Sequence, residues 1–358
     1  MADNYGKVTI GATGDILLHK RVYEKARQKD GSFDFTDMFE NVKHLFKEEE
    51  LIIVNQESII AGEELGLSFF PRFNSPVEIG YQLKNLNVDL VNIANNHTLD
   101  RGEKGVLKSI ENWEKIGLPY VGAYKSWEDH ETIRIFHKNG IRLCFLSFNA
   151  AEGIRARMIK GKEYLLNNYS QFSYRGIKAS AGLRRLINQI KRRNLADVII
   201  VSMHFGREYL RIPTSKQQEL SHTIAEAGAD IIIGHHPHVL QPPAYITTSQ
   251  GKKVFVAYSL GNFFTGQQGI YRQIGAYMEL GLRINYEKNL YERIEFFPSF
   301  KLTFVDSKDR KDYTIYLLKD MLEKSDTIKT SMGEFTSKEI YSEMRKHMRK
   351  WIPDLDII

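Results

Sequence analysis

The sequence predicts an α/β protein, on three observations: apolar runs of strand length alternate with amphipathic segments, the runs end in glycine or polar turns, and two late strands depart from that rhythm. KVTIGATGD has the pattern of a strand closing in a glycine turn, and FTDMFENVKHLFKEEE that of a helix leading to the strand LIIVN. PVEIGYQLKNLN is then a helix before the strand DLVNIANN, and GEKGVLKSIENWEKIG a helix before PYVGA. Each such pair adds one strand and its covering helix to a layer. TIRIFHKNGIRLCFLSFNA predicts a hairpin, because Asn139 and Gly140 tolerate the positive φ of a tight turn. In LRRLINQIKRRN, Leu183, Leu186, Ile187 and Ile190 fall at helical spacing, which makes an amphipathic helix with its arginines on a solvated face. The rhythm resumes with ADVIIVSMHFG, the helix SKQQELSHTIAEAG, and the strands ADIIIGHHPH and KKVFVAYSLGNFF. QIGAYMELGLRI and YERIEFFPSFKLTFV read as antiparallel strands, followed by a lysine-rich helical tail from about residue 311. The expected division is one catalytic-size domain over residues 1–305 and a helical extension over 306–358.

Composition narrows the function classes. The chain has 358 residues, 42% hydrophobic and 26% charged, enough for a sizeable core. It contains no run of 18 uninterrupted apolar residues, and its first residues, MADNYGKVTIGATGD, have neither a basic n-region nor an apolar h-region. The one cysteine, Cys144, sits in the apolar run IRLCFLSF and is expected to be a buried thiol. A net charge of +6 and a pI near 9.0 favour an anionic partner. Zinc-finger spacing, an aromatic RNA-binding strand and a glycine-lysine phosphate loop are all missing, so nucleic acid is not the expected one.

The chemistry-bearing residues gather at strand ends. Five apolar runs finish in TGD, VNQE, ANNH, SMHFG and GHHPH, which puts Asp15, Asn55, Glu57, Asn95, Asn96, His97, His204, His235, His236 and His238 where α/β sheets bind ligands. Carboxylate, amide and imidazole together suit one or two divalent ions such as Zn, Mn or Fe, and the lack of thiolate argues against a structural zinc site.

The ordered series GD, NxE, ANNH, HxGxE, GHHPH and SLGNF, over roughly residues 7–265, resembles the poly-gamma-glutamate capsule-biosynthesis protein CapA family, itself related to calcineurin-like metallophosphoesterases. That resemblance implies a four-layer α/β/β/α sandwich with a metal centre at its strand ends. Two-metal hydrolases of this kind hold their ions about 3.5–4 Å apart and activate water between them. Carried onto this sequence, the resemblance implies Asp15, Asn96, His204, His235 and His238 as metal ligands and His97 as the residue that assists the leaving group. The departures are specific. Leu17 replaces the histidine of the phosphoesterase Asp-x-His, and His19 lies two residues too far and is expected at the surface. Glu57 stands in place of the aspartate that bridges two metals and is expected as a metal ligand and catalytic residue, and the extra residue of GHHPH makes His236 a rival ligand. Asn55, Arg207, Glu208 and Asn262 are expected to hold the ligands or touch substrate, and Asn95 to cap the helix near Arg101. ELGLSFFPRFNSP, with Arg72, is the expected substrate rim.

The expected function is therefore capsule-polymer biosynthesis or export by a metal-dependent hydrolase or transferase. The alternative is a non-catalytic subunit that guides the anionic polymer. Either implies poly-gamma-glutamate or its precursor and membrane-bound synthase subunits as partners. The expected location is the outer face of the cell membrane if an anchor precedes these residues, and the cytoplasm otherwise.

Overall fold

Alternation of apolar side chains along the strands decides the layering, because successive residues of a strand face opposite sides. The computed structural model describes residues 5–152, 158–172, 179–288, 293–306, 312–322, 327–330 and 333–358. β1 (Tyr5–Leu17), β2 (Leu51–Gln56), β3 (Leu90–Asn92) and β4 (Tyr120–Val121) run parallel, side by side. β5 (Arg134–Lys138) and β6 (Ile141–Ala151) form the expected hairpin, with φ of 51° at Asn139 and 76° at Gly140. β6 then runs parallel to β7 (Val198–Gly206), and β7 to β8 (Ile231–His235).

After the short β9 (Leu240–Gln241), β10 (Ala244–Thr247) and β11 (Lys253–Ala257) complete a six-stranded sheet ordered β10-β11-β8-β7-β6-β5. β12 (Ser259–Leu260) pairs with β9, and β13 (Asn262–Thr265) returns to lie beside β1. β14 (Ile274–Asn285), β15 (Ile294–Asp306) and β16 (Thr314–Leu317) extend the first sheet antiparallel from β1. β17 (Thr327–Thr330) and β18 (Gly333–Thr336) form a separate ribbon, and β19 (Asp356–Ile357) pairs with β15.

Helices cover both outer faces. α1 (Lys20–Ala26), α2 (Thr36–Phe39), α3 (Glu78–Asn85) and α4 (Gly102–Ile116) bury Val22, Phe39, Leu83 and Trp113 against the outward residues Ile52, Val54 and Val91. The intervening Ile53, with Ile10, faces inward and meets Phe145, Ile200 and Ile233 of the second sheet. Beyond the short α5 (Trp127–Glu131), α6 (Ala179–Arg192) and α7 (Ser215–Ala227) place Leu183, Ile187 and Ile224 on the outward Ile199 and Val201. Three apolar layers between four layers of structure make the α/β/β/α sandwich. Each fully buried isoleucine contributes about 2–3 kcal/mol by leaving water.

Two expectations are corrected. FTDMFENVKHLFKEEE is not one helix: α2 has four residues and a separate 3-10 turn follows at Lys43–Lys47. Phe39 and Phe46 both pack on Phe263 while Phe46 also meets Tyr277, and a straight helix would not follow that aromatic cluster. The C-terminal tail is not wholly helical either. α8 (Ser337–Met348) buries Ile340, Met344 and Met348 in the core between the sheets, while β16 and β19 add strands to the first sheet. Lysine content signalled exposure there and masked these short pairings. Cys144 is buried as expected, and burial pushes its thiol up to about 12. Among the described residues no helix is long and apolar enough to cross a membrane.

Candidate metal centre

Asp15 sits near the end of β1, where the chain must pass close to the segment after β12. A Cβ on the preceding Gly14 would stand 2.3 Å from the Gly261 carbonyl oxygen, so only glycine fits. Glu57 lies one residue beyond β2, and its amide donates to the Ile16 carbonyl at 2.9 Å, which fixes it beside Asp15. β7 delivers His204, and β8 with the turn after it delivers His235, His236 and His238. His236 and His238 take left-handed backbone angles, φ 98° and 57°, unusual for side chains with a Cβ. Such conformations cost about 1–3 kcal/mol each and persist where a surrounding site holds them.

The side chains converge in a buried centre. Asp15, Glu57 and His204 bring ligand atoms within 4.8 Å of one another, and so do Glu57, His236 and His238. Glu57 is common to both groups. Asp15 is held from three sides: Asn55 Nδ2 donates to it at 2.8 Å, His235 Nδ1 lies 3.2 Å away and His238 Nδ1 3.1 Å. His238 Nδ1 also meets Asn262 Oδ1 at 3.0 Å, which leaves Nε2 toward Glu57 Oε1 at 3.6 Å. His204 Nε2 contacts Asn96 Oδ1 at 2.6 Å and lies 3.4 Å from Glu57 Oε1.

Electrostatics separates the two carboxylates. Burial alone would raise Asp15, but contacts from the His235 and His238 ring nitrogens hold it well below the usual carboxylate range. Glu57 has no such donors: burial dominates and pushes it to about 7. Burial lowers His204 and His236 well below an ordinary histidine. Burial also opposes charge on His238, but Glu57 and Asp15 outweigh it and raise His238 to about 9.

The donor set fits a divalent metal on an observation independent of any resemblance. Both carboxylate oxygens of Glu57, both ring nitrogens of His236 and Nδ1 of His204 and of His235 are buried without a hydrogen-bond partner. A buried carboxylate left so costs several kcal/mol, and coordination to a cation would satisfy these atoms together. His236 thus joins a metal-competent group, and His235, whose Nδ1 stands 3.2 Å from Asp15 Oδ1 without a hydrogen bond, remains beside it.

At the rim the centre opens into a cleft of about 870 Å³ lined by Asn96, His97, Asp100, Arg72, Lys104, Glu208 and His238, among others. His97 Nδ1 meets Asp100 Oδ2 at 2.7 Å, and Phe73 packs edge-on against the His97 ring, centroids 4.7 Å apart.

Over residues 9–267 the chain matches the family described as "Bacterial capsule synthesis protein PGA_cap". It belongs to that family. Among curated proteins, the PGA_cap chain is 27% identical over 285 residues to "Capsule biosynthesis protein CapA" of Bacillus anthracis, covering 78% of this chain and 65% of that one. It is 29% identical over 263 residues to "PGA biosynthesis protein CapA" of Bacillus subtilis (strain 168), covering 71% and 62%. The chain therefore spans under two thirds of the length of these relatives. Among solved structures, a hypothetical protein from Thermus thermophilus has a TM-score of 0.44 at 15% identity, covering 82% of this chain and 99% of that one.

Three expected positions in this PGA_cap chain differ. Asn95 does not cap α4, whose N-cap is Arg101; its Oδ1 instead accepts from the His97 amide at 3.0 Å and its Nδ2 donates to the Gln56 carbonyl at 3.1 Å. Its work is to shape the turn that presents His97. Arg207 is exposed and does not line the cleft, because it sits just past β7 where the chain turns outward. His19, expected at the surface, lines the cleft with its ring 5.2 Å from that of Phe73, and burial lowers it to about 4.

Two functional residues escaped the sequence reading. Asp100 was detectable in principle, since i, i+3 spacing from His97 is what lets the two meet across one turn. Asn92 carried no such signal: its amide reaches Asn55 Oδ1 at 3.0 Å and Ser202 Oγ at 2.9 Å on the other sheet, a pairing only the sandwich creates.

Proposed function

We propose that this protein is a metal-dependent hydrolase or transferase acting in the pathway of an anionic capsule polymer, poly-gamma-glutamate or its precursor. The observation that carries the chemistry is Glu57, which belongs to both metal-competent groups with neither carboxylate oxygen in a hydrogen bond. The relatives' names support the pathway.

Asp15, Glu57, His204, His236 and His238 would hold the metal, with His235, Asn55 and Asn262 orienting them. A divalent ion there supplies Lewis-acid polarisation of a substrate oxygen and activates water near neutral pH. The remaining work falls to the chain. Asp100 fixes His97 through Nδ1, which leaves Nε2 to give a proton to a leaving group in the cleft. Asn96, between His204 and the cleft, can contact the reacting group, and the burial of the centre excludes bulk water.

The test is elemental analysis of tag-free protein purified without chelator, beside Asp15→Ala and Glu57→Gln. One to two equivalents of Mn, Fe or Zn, lost in both variants, with ester or amide hydrolysis that chelation abolishes, is the expected result. Protein that takes up no metal on reconstitution would sink the hydrolase and leave a polymer-guiding role.

A further inference from the structure

The cleft beside His97 carries cations that the chemistry described above does not use. Three come from connections of the first sheet: Arg72 on the rim loop, and Arg101 and Lys104 at the start of α4. Arg101 already has work, since its guanidinium donates to the carbonyls of Leu65 and Gly66 and fastens the rim loop to α4. Arg72 and Lys104 are different. Both are exposed, and neither meets a carboxylate among the described residues.

The neighbours make that lack informative. Lys108, one turn along α4, lies 2.6 Å from Glu64 and 3.3 Å from Glu111, and Lys115 is paired with Glu111. Glu103 is paired with Lys162 at 2.6 Å, and Glu63, just before the rim loop, with Arg27 at 3.3 Å. These neighbours are thus held in ion pairs, whereas Arg72 and Lys104 line the cleft without one among the described residues; Lys20, also without one, lies instead over Phe69 and outside the cleft. Asp100 is engaged by His97 and by the Phe73 amide, so it does not neutralise them. The acid that stays free in the cleft wall, Glu208, comes from the second sheet, after β7. The cleft is therefore polarised, cationic on the first-sheet side and acidic on the second. Phe70, 70% exposed, adds an apolar surface to the same cleft.

We propose that Arg72 and Lys104 form a charge-reading subsite that holds carboxylate-bearing units of a substrate chain whose reacting group lies at Asn96 and His97. The inference rests on the proposed function for the identity of the chain, and it adds where the chain lies and which residues select it. Glu208 repels the same carboxylates, so the chain is drawn along the rim-loop side and enters in one orientation. Guanidinium and ammonium on a solvated wall act mainly through charge, so binding should weaken as salt shortens the screening length.

The test is fluorescence anisotropy with a labelled γ-linked glutamate decamer on the full chain, at low and high salt, with metal content measured for every variant. Wild type should bind, Arg72→Ala and Lys104→Ala should each weaken binding about three- to tenfold, and the double variant more than either, with metal content unchanged. Arg185→Ala/Arg192→Ala, on the remote basic face of α6, is the control for diffuse charge and should bind as wild type does. Wild-type affinity in the Arg72/Lys104 double variant, an equal loss in the α6 control, equal binding of a γ-linked glutamine decamer, or tighter binding of a ten-nucleotide DNA strand would each overturn the proposal. Anisotropy reads binding alone. A protein that binds the decamer through Arg72 and Lys104 yet takes up no metal would refute the hydrolase and leave this subsite standing.

Discussion

At the scale of single residues, Asp100 is where the rim loop and His97 meet. Its Oδ2 takes the His97 Nδ1 contact at 2.7 Å and the Phe73 amide at 2.6 Å, so one oxygen fixes both a ring and a loop. Asp100→Asn retains the shape but offers one acceptor oxygen and one NH₂. With its amide oxygen in the place of Oδ2 it can keep both contacts, but it removes the negative charge that supports the ring as Nε2 gives up its proton. The expected outcome is a fall in kcat of about ten- to a hundredfold, with KM and metal content unchanged. A change in KM alone would assign Asp100 to the loop. Glu57 and His238 allow a second residue-scale expectation. Glu57, raised to about 7, and His238, raised to about 9, retain protons in the metal-free centre near neutral pH. A metal must displace them, so adding Mn²⁺ to apo protein in weak buffer should release protons, and affinity should rise with pH up to about 9. Binding without proton release would mean that other residues hold the ion.

At the scale of elements, β14 carries a pH-dependent load outside the cleft. Tyr277 on β14 donates to Glu49 Oε2 at 2.6 Å, and Glu279 on the same strand pairs with Lys301 of β15. Burial, opposed by Tyr277 and reinforced by Glu279, raises the Glu49 carboxyl to about 7 from an ordinary 4.5. The folded chain then binds that proton more tightly than the unfolded one, so the contribution of this carboxyl to stability is greatest below pH 4.5 and is lost as pH rises through 7. Glu49→Gln keeps the acceptor for Tyr277 and removes the charge. It should raise Tm by about 1–2 °C at pH 8 and leave it unchanged at pH 4.5; an equal shift at both pH values would point to packing instead. Elements were also where the sequence was most legible. β2, β7, β8, α4 and α7 follow local periodicity, and Asn139-Gly140 marks its own turn. What it hid depended on distant partners: the break after α2 answers to Phe263 and Tyr277, and β19 exists because β15 offers an edge. The gathering of Asp, Glu and His at the strand ends was legible for the same local reason, whereas the grouping of His236 with Glu57 and His238 goes with a φ of 98° at His236 that no pattern announces.

At the scale of the whole molecule, the centre is a seam between the sheets. Asp15 and Glu57 belong to β1 and the end of β2, while His204, His236 and His238 belong to β7 and the turn after β8. Below it, Asn92 of the first sheet donates to Ser202 Oγ at 2.9 Å and accepts from the Ser147 hydroxyl, so the seam is already held by neutral hydrogen bonds. A metal bound by residues from both sheets adds a cross-link that the unfolded chain lacks, and its binding energy therefore appears as stability. At a hundredfold excess over Kd this is about 2.7 kcal/mol, and a chain of this length should gain about 3–4 °C in Tm. Glu57→Gln and His204→Ala should abolish the gain, while His97→Ala, which removes no ligand of either group, should retain it. The two sets separate because stabilisation requires ligands from both sheets, whereas His97 sits on the rim after β3 and joins nothing across the seam. A metal-dependent gain that survives Glu57→Gln would place the ion elsewhere, such as the acidic group of Glu48, Glu49 and Glu279, and Glu49→Gln would then remove it.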